Sequence, residues 1–187
     1  MNRSRIIRNR LVFSAMFTAL IAVSGFFIIP LGPVPIVLKN LFVVLSGVVL
    51  GSFYGGISLL IFISAGLFSP LFVFPGPGAF LTPLGGYIIG YFLASLTAGM
   101  IVGIPKVTER KFQFSVFIRL SIASILGFAV ILFCGMFYMM RLFSMTLTAA
   151  FMAGVAPFVI GDLIKLAICI PLALKLRPIA ARYINEN

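Results

Sequence analysis

Leu120-Ser-Ile-Ala-Ser-Ile-Leu-Gly-Phe-Ala-Val-Ile-Leu-Phe-Cys-Gly-Met-Phe-Tyr-Met-Met140 runs for 21 residues without a charge. About 20 such residues cross a bilayer as a helix, the form in which one segment satisfies all its own backbone hydrogen bonds in hydrocarbon. The surrounding chain repeats the pattern. Hydrophobic residues make up 62% of the 187 positions and charged residues 9%, against about 25% charged in an ordinary soluble domain. A soluble fold would lack the polar side chains to cover its surface, whereas a surface facing lipid should be apolar. The sequence therefore predicts an all-α membrane protein, one integral membrane domain over residues 1–187.

Working outward from 120–140, the predicted spans are 11–29, 36–50, 56–71, 84–104 and 157–176, six in all. Arg3, Arg5, Arg8 and Arg10 precede the first. No small-x-small cleavage site follows them and more spans do, so 11–29 reads as a retained helix and not a signal peptide. Pro30-Leu-Gly-Pro-Val-Pro35 ends that helix, since prolines cannot continue it, and 51–56 reads as a tight uncharged turn. Residues 142–156 are either an interfacial helix or an early part of the last span, and Pro157 suits a first helical turn.

Charge sets the orientation. With six spans and a cytoplasmic N-terminus, eleven of the 14 lysines and arginines fall inside, around 3–10, 106–119 and 175–182, and Arg141 alone falls outside. Cytoplasmic flanks collect such cations, so both termini are expected in the cytoplasm, and the net charge of +11 is no sign of nucleic acid.

Lys39, Asp162 and Lys165 lie at or near membrane depth, where a charge costs about 2.5–3.5 kcal/mol at a helix centre. Asp162 and Lys165 are three apart and share a helix face. One reading is an ion pair that only staples helices; the other is a pair lining a pocket for a small polar ligand. Lys39, beside Asn40, either snorkels to the outer interface or joins that pocket. The Pro/Gly-rich stretch 72–86 is either an ordinary outer loop or a cap, with Phe72, Phe74 and Phe80 over an apolar ligand body. Gly47, Gly51 and Gly55, and the pairs Gly86/Gly90 and Gly99/Gly103, have the spacing that lets helices approach closely.

Absences narrow the function. The chain carries no G-x-x-x-x-G-K-[ST] loop for ATP hydrolysis and no histidine. Cys134 and Cys169 lie in apolar runs without ligand partners. One acidic residue in the spans argues against a two-aspartate protease. No cofactor or metal is expected, and a pocket without a motor needs a partner.

Four stretches then resemble the BioY family, the biotin-specific S components of energy-coupling factor (ECF) transporters: Ile29-Pro-Leu-Gly-Pro-Val-Pro-Ile36, Leu38-Lys-Asn-Leu-Phe-Val-Val-Leu-Ser-Gly47, Leu84-Gly-Gly-Tyr-Ile-Ile-Gly90 and Pro157-Phe-Val-Ile-Gly-Asp-Leu-Ile-Lys165. The resemblance implies a six-helix S component in the plasma membrane that binds biotin on its outer side. It also implies docking to a transmembrane coupling subunit with two ATPase subunits. Asp162 and Lys165 match the family's acidic and basic binding residues, Tyr87 its Gly-Gly-Tyr aromatic, and Ala15 and Ala19 its docking motif on the first helix. Biotin's ureido N–H groups suit Asp162, and its carboxylate or carbonyl suits Lys165 or Lys39. Asn40, Thr82 and Phe74 complete the expected site. The family's Thr-Leu-Gln-Thr reads Val37-Leu-Lys-Asn40 here, and its Gly-Pro-Thr-Gly-Gly reads Thr82-Pro-Leu-Gly-Gly86, both beside the expected pocket. Another small vitamin or carboxylate as cargo, or a non-transport membrane scaffold, are the alternatives.

Overall fold

A computed structural model describes residues 3–29, 36–69, 76–107 and 113–185. Its helices are α1 (Arg3–Ser24), α2 (Lys39–Leu50), α3 (Ser52–Phe68), α4 (Leu84–Val102), α5 (Phe114–Phe143), the short α6 (Leu147–Gly154) and α7 (Val159–Asn185). One minimal antiparallel pair, β1 (Ile28–Ile29) with β2 (Ile36–Val37), brackets the first proline stretch. Residues Ile6–Ser24, α4, α5 and the segment Leu147–Ile184 are long and apolar enough to cross a membrane; α2 and α3 are apolar but shorter.

Burial follows composition. Leu41 and every residue of α2 from Val43 to Leu50 are buried, as expected for a helix that is apolar all round. The helix touches α1, α3, α4, α5 and α7, so it forms the middle of the bundle. Helix α1 lies at the rim, with Leu11, Val12, Met16, Leu20 and Val23 exposed on its outer face. The glycines make the closest approaches. A Cβ on Gly47 would overlap the Ser95 carbonyl, one on Gly99 the Ser52 backbone, and one on Gly86 the Tyr138 side chain. The spacing read as helix–helix contact is used on α2 against α4, α4 against α3, and α4 against α5.

Several boundaries differ from expectation. The first span was expected over 11–29, but α1 stops at Ser24, because Ile28 and Ile29 pair with β2. The second begins at Lys39 rather than 36 for the same reason. The turn expected over 51–56 contracts to Gly51, at φ 81° and ψ 173°, a conformation open essentially only to glycine. Its N–H bonds the Gly47 carbonyl at 2.9 Å, and Ser52 already starts α3. Residues 142–156 hold the end of α5 and the separate α6. Pro157 sits in a 3-10 turn, Ala156–Phe158, ahead of α7.

The largest difference is at the end of the chain. The last span was expected to stop at 176, before Arg177-Pro178, yet α7 runs to Asn185 with Pro171 and Pro178 inside it. Arg177, a flanking charge by its place in the sequence, is instead buried, at 1% exposure. Its Nη1 donates to the Val48 carbonyl and, at 3.3 Å, to the Gly103 carbonyl. Those oxygens belong to the last turn of α2 and the residue ending α4, where helices leave acceptors unmet and where a cation suits the dipole. Asn9 Nδ2 and Arg10 Nε donate to the Tyr183 and Ile184 carbonyls, at 2.9 and 3.2 Å. Four helices are thereby tied together at one end of the bundle.

Candidate functional site

At the other end, the exposed face of α7 carries Leu163, Ile164 and Ile168, and its covered face carries Asp162 and Lys165. Three-residue spacing brings Lys165 Nζ to 2.5 Å from Asp162 Oδ1. The two side chains are 4% and 7% exposed. An ion pair at this depth needs its other lone pairs and protons met as well. One is not: Asp162 Oδ2 is buried and accepts no hydrogen bond, and it is the sole such side-chain nitrogen or oxygen among the described residues.

Three polar neighbours lie near this carboxylate. Asn40 in the first turn of α2 stands beside it, and Tyr87 and Tyr91 on α4 lie within its electrostatic range. Tyr87 and Tyr91 are four apart, so one helix face carries both. The Tyr87 hydroxyl donates to the Gly154 carbonyl at 2.8 Å, and its ring meets Phe158 edge-on at 6.2 Å. A Cβ on Gly135 would overlap that ring, so α5 leaves the room in which Tyr87 lies. The result is a polar spot, Asp162, Lys165 and Asn40, with Tyr87 and Tyr91 in its neighbourhood and one carboxylate oxygen without a hydrogen bond. It suits a ligand with N–H donors and an apolar body.

Other expected residues stand elsewhere. The Lys39 ammonium lies 5.3 Å from the centre of the Phe62 ring, where cation–π attraction holds it. Its last carbon and nitrogen cover Gly25, where a Cβ would overlap them. Lys39 is therefore turned toward α1 and α3. Thr82 closes the turn into α4: its hydroxyl donates to the Ala79 carbonyl at 2.7 Å and accepts from the Leu84 N–H at 3.3 Å. Phe72 and Phe74 lie outside the described residues. Of the expected cap, residues 76–81 form a 3-10 helix with Ala79 buried, and the Phe80 carbonyl accepts from the Tyr138 hydroxyl. Ala15 and Ala19 are exposed on α1, away from the bundle interior.

Sequence reading missed Tyr91 and Arg177. The first had a signal, since it follows Tyr87 by one helical turn. The second had none, because its carbonyl partners are 129 and 74 residues away.

Known proteins resemble this chain over nearly its full length. The model of the BioY family matches residues 1–182. The "Biotin transporter BioY" of Thermotoga maritima is 34% identical, over 90% of this chain and 96% of that one. The "Probable biotin transporter BioY" of Pyrococcus horikoshii is 35% identical, over 87% and 93%. A crystal structure of the S-component for biotin from an ECF-type ABC transporter superposes with a TM-score of 0.76 at 27% identity, covering 95% of this chain and 94% of that one. The all-helical bundle is thus the fold of an ECF S component, and the protein is a multi-pass membrane protein. The chain belongs to the BioY family.

Proposed function

We infer that this chain is the substrate-binding S component of a vitamin uptake system, taking biotin from the outer side of the plasma membrane. The observation that carries the site is the buried Asp162 carboxylate with one oxygen held by Lys165 and the other unmet. Biotin supplies what is missing there. A ureido N–H answers Oδ2, and the ligand's carbonyl or carboxylate takes an ammonium proton that Lys165 has to spare. Asn40 adds an adaptable amide, and Tyr87 and Tyr91 form the wall for the thioether ring and alkyl chain. Lys39 is a positioning residue in this scheme, holding the approach of α1 and α3.

Transport needs an energy source outside this chain. We assign it to an ATP-driven coupling module, a transmembrane subunit with two ATPases, docked on α1 through the exposed small residues Ala15 and Ala19. The basic end of the bundle faces the cytoplasm, and residues 1–187 act as one membrane domain.

The test is mass spectrometry of small molecules co-purified with the protein, followed by biotin titration. Biotin is expected to co-purify, and Asp162→Asn with Lys165→Ala to abolish its retention. Saturable binding unchanged in the double variant removes the site assignment. A different vitamin or carboxylate in its place changes the cargo but keeps the fold.

A further inference from the structure

At the basic end, where α4 finishes and α5 begins, lies a groove of about 590 Å³ that the biotin reading does not use. One side is apolar: Met100 and Ile104, 64% and 60% exposed, face outward there. The other side is polar, with Lys106 from the segment after α4, and Gln113, Ser115 and Arg119 from the start of α5. Lys106 and Arg119 are both exposed, and neither meets a carboxylate among the described residues. The groove also includes Gly103, whose carbonyl Arg177 holds, so its floor belongs to the clamped part of the bundle.

We propose that this groove seats an anionic phospholipid, its phosphate between Lys106 and Arg119 and its acyl chains along Met100 and Ile104. A soluble anion would use the cations and leave the apolar half wet. A neutral lipid would use the apolar half and leave two cations unanswered. An acidic lipid matches both halves, and basic grooves at the cytoplasmic ends of membrane helices recognise such headgroups. Arginine and lysine at such a site act as phosphate donors of different geometry, the guanidinium as a fork and the ammonium as a point.

The test uses the full chain in nanodiscs of equimolar phosphatidylglycerol and phosphatidylcholine, with native mass spectrometry of the lipids that stay bound. Phosphatidylglycerol is expected to be enriched about tenfold over phosphatidylcholine. The exposed pair Lys106→Gln/Arg119→Gln is expected to remove that enrichment. A second exposed basic pair, on α7, Lys175→Gln/Arg182→Gln, serves as control and is expected to keep at least half of it. Equal loss in both variants would mean that general surface charge attracts the lipid, and no enrichment in the unaltered protein would mean that nothing selects it; either overturns the proposal. Displacement of the lipid by millimolar inorganic phosphate would show a site for free anions and overturns it too.

Discussion

Lys165 and Arg177 sit on one helix, both buried, and are used in opposite ways. Arg177 reaches across to carbonyls that end two other helices, so its charge joins α2, α4 and α7. Lys165 reaches back one turn to Asp162 on its own helix, so that bond fastens nothing to anything else. The first arrangement leaves acceptors satisfied at the basic end. The second leaves Asp162 Oδ2 unsatisfied at the opposite end. A buried charge that ties elements together is explained by stability; one whose ion pair stays on its own helix, with a carboxylate oxygen left over, asks for a guest.

This contrast can be broken by experiment. The largest effect is expected from replacing the pair by apolar residues, Asp162→Leu with Lys165→Met. Biotin binding should fall more than about 100-fold, since two charged contacts are each worth about 1.5–3 kcal/mol. Stability should hold or rise by about 1–4 kcal/mol, because apolar substitutes escape the desolvation penalty of a buried pair. Titration and thermal melting in one detergent read both, and a large loss of stability would make the pair a staple. Arg177→Met should do the reverse. It should lose on the order of 3 kcal/mol in a melt, as two helix ends lose their donor, while folded protein keeps full biotin stoichiometry.

Smaller changes sharpen the picture. Tyr87→Phe removes the donor to the Gly154 carbonyl and should weaken biotin binding about fivefold, or about 1 kcal/mol. Lys39→Gln should change affinity by no more than about fivefold, a cation–π contact being worth about 0.5–1 kcal/mol at a partly open site. A tenfold loss there would put the Lys39 ammonium on the ligand.

The apolar runs announced the helices, and the two intramembrane charges marked the candidate site, where they do pair and are buried. Helix ends were harder to read. No charge marks the change at Ser24, where pairing of Ile28 with Val37 takes over from the helix. Arg177-Pro178 looks like a stop, yet proline costs a membrane helix little where neighbouring groups meet the freed backbone. The glycine spacings announced close contact without naming the partner: Gly47 meets Ser95 and Gly99 meets Ser52 only because of how the chain returns. Lys39 and Asn40 look alike as polar neighbours, but successive residues on a helix point about 100° apart. Only the second faces Asp162.

Helix α5 acts as a ruler. Its 30 residues carry two arginines, Arg119 and Arg141, and the 22 steps between them rise about 33 Å. The hydrocarbon of a typical bilayer is about 30 Å thick. Each guanidinium can therefore rest among headgroups on its own side with hardly any tilt. Membranes a few ångströms thicker would drag one arginine inward and force the whole bundle to distort around a rod that cannot stretch. Uptake by this protein should accordingly be sensitive to acyl-chain length in the host membrane.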